Sequence, residues 1–145
     1  MSERDADTRE RTDLSSRKRA HNPAAVAPPI RQYYSTCVRV DSGPLLFISG
    51  QLGTDVDGRL VGSGDVAAEA EQALQNIQRI LETHQGTMSD VVKVTVYVTD
   101  IAYLDAIQPA RVRHFPTEGP ASVIVEVAAL ALGAKVEIEA IAVVA

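Results

Sequence analysis

The chain has 145 residues, enough for one folded domain with a short tail, and it carries a net charge of −5. Its single cysteine, Cys37, excludes an internal disulfide and any zinc site built from several cysteines. No apolar run approaches the ~20 residues that span a membrane, and the first residues lack the apolar core of a signal peptide. These features predict a cytoplasmic protein with no membrane partner. No cluster of metal ligands stands out in the sequence, so no bound metal is expected.

Acidic side chains outnumber basic ones in most of the chain. Residues 31–145 contain fourteen acidic and eight basic residues. Proteins that bind nucleic acids neutralise phosphates with Lys and Arg, so this balance predicts no nucleic-acid partner. The basic triplet at 17–19 follows several acidic residues, which favours a solvated tail over a functional basic patch.

The N-terminal part of the chain divides into an arm and the start of a folded domain. Residues 1–29 are polar, highly charged and end in a proline-rich stretch, which is typical of a flexible arm. The folded domain is predicted over 30–145. Two β-like runs, at 36–41 and 45–49, are joined by a Ser-Gly-Pro turn and predict a hairpin. A short strand is predicted next, at 59–61.

The middle of the chain contains the clearest helix signal. Apolar residues recur at the 3.6-residue period over 66–85, which predicts a helix with one buried face. Asp65 can cap its first turn, and Gly86 can end it in the left-handed conformation. A strand is predicted at 91–99, because valines alternate with polar residues there.

The last third of the chain completes the predicted fold. A second helix is expected over 101–115, with a loose start because Pro109 fits best near a helix beginning. Strands are predicted at 121–128 and 135–144. This order predicts an α+β sandwich, with two helices on one face of a mixed sheet. Several strands are apolar on both sides, and two helices cover only one face, so a homo-oligomer is expected.

Four stretches of the sequence resemble a known family. They read YYSTCVRV, LLFISGQLGTDVDGRLVGSGDVAAEAEQALQNIQRILE, MSDVVKVTVYVTDIAYLDAI and PASVIVEVAALALGAKVEIEAIAV, between residue 33 and residue 143. In this order they resemble the Rid/YjgF family of reactive intermediate deaminases. The resemblance implies a chorismate-mutase-like fold and a homotrimer with small-molecule ligands in three clefts between subunits. It also implies hydrolysis of imines and enamines without a cofactor.

The resemblance further implies which residues line those clefts. Glu137 matches the glutamate that positions the attacking water, so it is the candidate catalytic residue. Ser122 stands where the family has an arginine that binds the substrate carboxylate. The remaining candidate substrate-binding residues are Tyr34, Ser49, Gln108 and Ile124. An arginine binds a carboxylate through two charge-assisted hydrogen bonds and a serine cannot, so we expect a divergent member whose imine or enamine substrate is anchored differently.

Several residues also have a purely structural interpretation. Arg111 or Arg113 could replace the missing charge, although arginines on helices are usually solvated. Glu137 alternates with apolar residues, which by itself predicts a solvent-facing strand face. Cys37 in a strand predicts a small buried side chain, and His114 near a helix end predicts a structural or exposed residue.

Three classes of function therefore remain open. The first is a hydrolase of the deaminase type, acting on an imine or enamine. The second is a non-catalytic trimer that binds a small molecule or assists a pathway. The third is the ribonuclease activity ascribed to some relatives of the family, which the acidic composition makes the least favoured.

Overall fold

The computed structural model describes residues 17–62, 64–115 and 117–145. Its strands and helices are β1 (Lys18–His21), β2 (Cys37–Val40), β3 (Leu45–Leu52), α1 (Val66–Glu82), β4 (Val91–Val98), α2 (Leu104–His114), β5 (Ala121–Glu126) and β6 (Val136–Val143). Three short 3-10 turns, at Met88–Asp90, Ile101–Tyr103 and Ala131–Gly133, lead into β4, α2 and β6. Neither of these helices is long and apolar enough to cross a membrane.

A four-stranded mixed sheet with two helices forms the centre of the fold. Its strand order is β3-β6-β4-β5, in which β4 and β5 run parallel and the other neighbours run antiparallel. One core joins apolar residues of both helices to alternate residues of the strands, including Leu74, Ile77, Ile107, Val96 and Ile138. The predicted α+β arrangement of two helices and a mixed sheet is confirmed.

The first helix forms as its sequence pattern predicts, but it ends at Glu82, three residues before the predicted end at position 85. The Asp65 side chain accepts hydrogen bonds from the backbone N–H groups of Ala67 and Ala68, which confirms the predicted cap. At the other end, Gln85 and not Gly86 has the left-handed conformation. Gly86 is buried, and a Cβ there would crowd the Leu81 carbonyl and the side chain of Val144, just after β6, so this glycine provides room.

The second helix confirms the predicted late start. A 3-10 turn comes first, and α2 then begins at Leu104. Pro109 therefore lies in the second turn of α2 instead of the first, with its ring exposed to solvent. Proline has no N–H, so α2 has one helical hydrogen bond fewer at Pro109. The 3-10 turn at Ile101–Tyr103 supplies hydrogen bonds to the backbone that precedes α2.

Two predictions near the N-terminus are wrong. β2 pairs antiparallel with β1 and β3 pairs with β6, so the predicted hairpin between β2 and β3 does not form. At 59–61 there is one bridge, between Leu60 and Thr54, in place of a strand. β1 falls within the stretch predicted as a flexible arm, and residues 1–16 of that stretch lie outside the described residues. The boundary at 29/30 stays a prediction.

The sheet face opposite the helices is uncovered in the single chain. Phe47 is 71% exposed there, and Val123 and Val125 are 44% and 37% exposed. Between these apolar groups the Tyr97 hydroxyl donates a hydrogen bond to Glu139, which raises the pKa of Tyr97. An apolar surface of this kind is typical of an interface, and the oligomer itself stays a prediction.

A polar contact joins the two helices on the solvent side. Glu71 of α1 accepts a hydrogen bond from Arg113 at 2.8 Å, and its other oxygen lies 3.1 Å from the His114 Nε2. Burial raises the pKa of Glu71, but hydrogen bonds from Arg113, His114 and Gln75 outweigh it, so the net pKa is lowered. His114 is thus a structural residue, as predicted.

We expect Glu71→Gln to reduce the free energy of unfolding by up to about 1 kcal/mol at neutral pH, a small effect because solvent screens the pair. The folded-state pKa lies below the ordinary 4.5, so this stabilisation is complete above pH 4.5 and disappears as the pH falls through the folded-state value. Urea unfolding at pH 7 and pH 3.5 measures the effect. Glu82→Gln, at the exposed end of α1, is the control, and a pH-independent Glu71 effect would contradict the expectation.

Candidate active site

The segment before β2 is held against the segment before β5. Ser35 is buried, its hydroxyl donates to the Gly119 carbonyl at 2.6 Å, and its backbone N–H donates to the Pro120 carbonyl at 3.0 Å. A Cβ on Gly119 would collide with the Tyr33 backbone, so glycine is needed for this close approach. The contact places Tyr33 and Tyr34 beside the first residues of β5.

A pocket of about 300 Å³ opens beside this contact. We call it the arginine pocket. Its walls come from α2, β5 and the segment before β2, and its principal lining residues are Tyr33, Tyr34, Leu104, Arg111, Ser122 and Ile124. Ile30 and Arg31 lie at its rim. The structure therefore brings together three of the predicted substrate-binding residues.

The cation in this pocket comes from α2. Arg111 is only 4% exposed, its guanidinium lies 4.4 Å from the centre of the Tyr33 ring, and its Nη2 donates a hydrogen bond to the Ser122 Oγ. Burial lowers the pKa of Arg111, although the nearby Tyr33 and Tyr34 oppose that shift. Of the two arginines considered from the sequence, Arg111 enters the pocket, and Arg113 is exposed and bound to Glu71.

The burial of Arg111 has a signal in the sequence. Ile107 and Ala110 are buried on α2, and Arg111 lies four residues after Ile107. Residues at this spacing share a helix face, so Arg111 falls on the buried side of α2 while Arg113 falls away from it. The helical periodicity that predicts which apolar residues are buried therefore also predicts the burial of Arg111.

The candidate catalytic glutamate lies at a different place, which we call the glutamate edge and define by Ser49, Gly50 and Glu137. The pairing of β3 with β6 shifts register between Ile48 and Gln51, so Ser49 and Gly50 form a bulge. A Cβ on Gly50 would collide with the Glu137 carboxylate, so this glycine gives the carboxylate its space. Ser49 also lines a hollow of about 330 Å³ on the open sheet face, with Lys93 and Glu139 among its walls.

One chain does not bring the glutamate edge and the arginine pocket together. Glu137 is in register with Tyr97 and Val125 on the open face, whereas Ser122 is in register with the buried Val94 on the helix face. Two strand spacings separate β6 from β5, or about 10 Å, and β3 lies one strand further away. A small molecule in the arginine pocket therefore cannot reach Glu137 of the same chain.

The remaining predicted residues have mixed outcomes. Gln108 is half-buried on α2, three residues before Arg111, but it does not line the arginine pocket. Cys37 is exposed instead of buried, because it lies in the β1–β2 ribbon outside the main sheet, where its Sγ contacts the His21 carbonyl at 3.3 Å. Within the described ranges, no three His, Cys, Asp or Glu side chains are grouped so that they could hold a metal ion.

Comparison with known proteins identifies the family. The family model described as Endoribonuclease L-PSP matches residues 24–144, and a solved Yersinia pestis protein of the Rid family superposes with a TM-score of 0.81 at 32% identity, over 88% of this chain and 99% of that one. The chain belongs to the Rid/YjgF family.

Two further relatives of this Rid-family chain bear more specific names. The 2-iminobutanoate/2-iminopropanoate deaminase of Bos taurus is 44% identical over 125 residues, which cover 86% of this chain and 85% of that one. The structure of RidA from the Antarctic bacterium Psychrobacter sp. PAMC 21119 has a TM-score of 0.65 at 36% identity, over 87% of this chain and all of that one.

We expect Ser35→Ala to reduce the free energy of unfolding by about 1–3 kcal/mol, because it leaves the buried Gly119 carbonyl without its hydroxyl donor. Urea unfolding measures this loss. Ser42→Ala, in an exposed bend before β3, removes the same atom at the surface and should change stability by less than about 0.5 kcal/mol. Equal losses in the two variants would show that the Ser35 contact does not hold the segment in place.

Proposed function

We propose that this Rid-family protein is a hydrolase that converts small imines or enamines into carbonyl compounds and ammonia. The observation that carries the proposal is the Glu137 carboxylate, which lies half-buried on an open strand face in the space left by Gly50. The name of the bovine relative, an iminobutanoate and iminopropanoate deaminase, supports the same reaction class.

The proposed reaction needs one carboxylate. Glu137 accepts a proton from water while the water oxygen attacks the carbon of the protonated C=N bond, giving a neutral carbinolamine. The proton then passes from Glu137 to the amine nitrogen. As the C–N bond breaks, the hydroxyl proton of the carbinolamine passes back to Glu137, so the carbonyl forms and ammonia leaves. An enamine enters the same sequence after protonation of its carbon gives the iminium form.

We propose that the working site is shared between subunits of a homotrimer. In one chain the arginine pocket and the glutamate edge lie on opposite faces of the sheet, so a neighbour must supply one of them. The exposed Phe47 and Val123 belong to the uncovered face that such a neighbour would bury. A cyclic trimer then contains three equivalent clefts, each with Tyr34, Ser122 and Ile124 from one subunit and Ser49 and Glu137 from the next.

We expect Glu137→Gln to lower the rate of ammonia release by about 100-fold or more, because a neutral amide cannot accept a proton from water. The assay follows ammonia from 2-iminobutanoate that an amino-acid oxidase generates in the same vessel. Glu139→Gln is the matched control on the same strand face and should stay within a few-fold of wild type. Ammonia release that never exceeds the uncatalysed rate in the wild type would favour a non-catalytic binding protein instead.

We expect light scattering to give three times the 15.5 kDa mass of one chain, and Phe47→Asp to shift the protein towards monomer. A charge at Phe47 would be buried unpaired in the trimer, whereas Val56→Asp, in an exposed turn, should leave the mass unchanged. Because the site is shared, the Phe47→Asp monomer should also lose ammonia release. A fully active monomer would contradict the shared cleft.

A further inference from the structure

The arginine pocket is electropositive although the protein as a whole is acidic. Arg111 lies in its wall and Arg31 at its rim, and none of the described residues that line it is acidic. No carboxylate within the described ranges lies within 4.0 Å of the Arg111 guanidinium. This contrasts with Arg113, which is exposed and still has the Glu71 carboxylate as its partner.

A buried guanidinium of this kind is costly unless an anion accompanies it. Desolvation of a charge is offset by an opposite charge or by a full set of hydrogen bonds. Arg111 has the face of Tyr33 and the Ser122 hydroxyl, which orient its plane but do not neutralise its charge. The five N–H donors of a guanidinium form a fork that fits the two oxygens of a carboxylate.

The polypeptide around Arg111 holds it in one orientation. Tyr33 is buried, Ser122 is fixed by the parallel pairing of β5 with β4, and the Arg111 backbone lies within α2. Such preorganisation is typical of a binding site, because the side-chain entropy has been lost before the ligand arrives. The pocket of about 300 Å³ leaves room for a ligand of only a few heavy atoms.

We infer that Arg111 is the carboxylate anchor of this protein and that Ser122 orients it, so the substrates are small 2-imino or 2-enamino carboxylates. This deepens the proposed function and rests on it for the reaction, but the binding of a carboxylate is a separate property. The guanidinium that the family resemblance places on β5 is here supplied from α2. The predicted loss of carboxylate recognition, which followed from serine at position 122, is replaced by this assignment.

The test compares a carboxylate with its neutral isostere. The affinities of 2-oxobutanoate and 2-oxobutanamide are measured on the full-length protein by titration calorimetry or ligand-observed NMR. Wild type should prefer the carboxylate, and Arg111→Gln should reduce that preference by about 30-fold or more, since truncating one member of a buried charge pair has effects of this size. Arg113→Gln removes the same charge two residues away and should leave the preference unchanged.

Two further variants separate binding from a structural role. Arg111→Lys keeps the charge but loses the planar fork, so the preference should fall by several-fold and ammonia release from 2-iminobutanoate should show a raised KM. Arg111→Gln combined with Ser122→Arg returns a guanidinium to the pocket from β5, and it should recover part of the preference. If Arg111 only supports the structure, its loss would weaken the binding of 2-oxobutanoate and 2-oxobutanamide alike, and Ser122→Arg would not restore the preference for the carboxylate.

The outcomes distinguish this inference from the proposed function. An unchanged preference in both Arg111→Gln and Arg111→Lys, or a wild type that binds the amide as tightly as the carboxylate, would overturn the anchor. Arg111-dependent carboxylate binding without Glu137-dependent ammonia release would leave the anchor standing and reject the hydrolase. Ammonia release that depends on Glu137 but not on Arg111 would leave the hydrolase standing and reject Arg111 as the carboxylate anchor.

Discussion

The buried guanidinium of Arg111 is the contact on which one edge of this protein depends. It joins α2, which carries Arg111, to β5 through Ser122 and to the segment before β2 through Tyr33. α2 and β5 follow each other in the chain, whereas the segment before β2 comes from its N-terminal part. Among the described residues this cation has no carboxylate partner, so the contact that organises the edge is also where we propose that an anion binds.

The strand order is the second constraint, because it decides what one chain can accomplish alone. With β6 and β4 between β3 and β5, the bulge that makes room for Glu137 lies across the sheet from the arginine pocket. In the proposed shared site, each chain contributes the arginine pocket to one cleft and the glutamate edge to another. Activity then depends on assembly through the uncovered apolar face, so a chain that does not assemble also loses its activity.

In our proposal, the guanidinium that binds a carboxylate comes from α2 instead of β5. A ligand responds to the position and direction of a guanidinium, not to the strand or helix that carries it. Serine at position 122 is small enough to admit the Arg111 side chain from α2 and supplies a hydroxyl to orient it. Reading position 122 alone therefore suggests a lost function, whereas the pocket retains the charge.

The sequence by itself determined the elements whose signals are local. The apolar period of α1 and its Asp65 cap, the alternation of β4, and the order of elements from β2 onward, apart from a false strand at 59–61, were all visible, because each depends on neighbours a few residues away. Motif resemblance then pointed to Glu137 and to Tyr34, Ser122 and Ile124, which line the arginine pocket, although a motif does not say which residues meet in one chain. Gly86 was predicted to end α1 in the left-handed conformation, but α1 ends at Glu82, Gln85 has the positive φ, and Gly86 provides space.

Only the tertiary structure decided the long-range partners. β1 has a polar sequence with no alternation, and it is a strand because β2 offers it an unpaired edge. Cys37 is exposed because β2 lies in that outer ribbon and not in the main sheet. Arg111 is buried because the close approach of Ser35 to Gly119 brings Tyr33 over α2. Pairing, burial and charge compensation depend on groups brought together by the whole fold, and no local pattern records them.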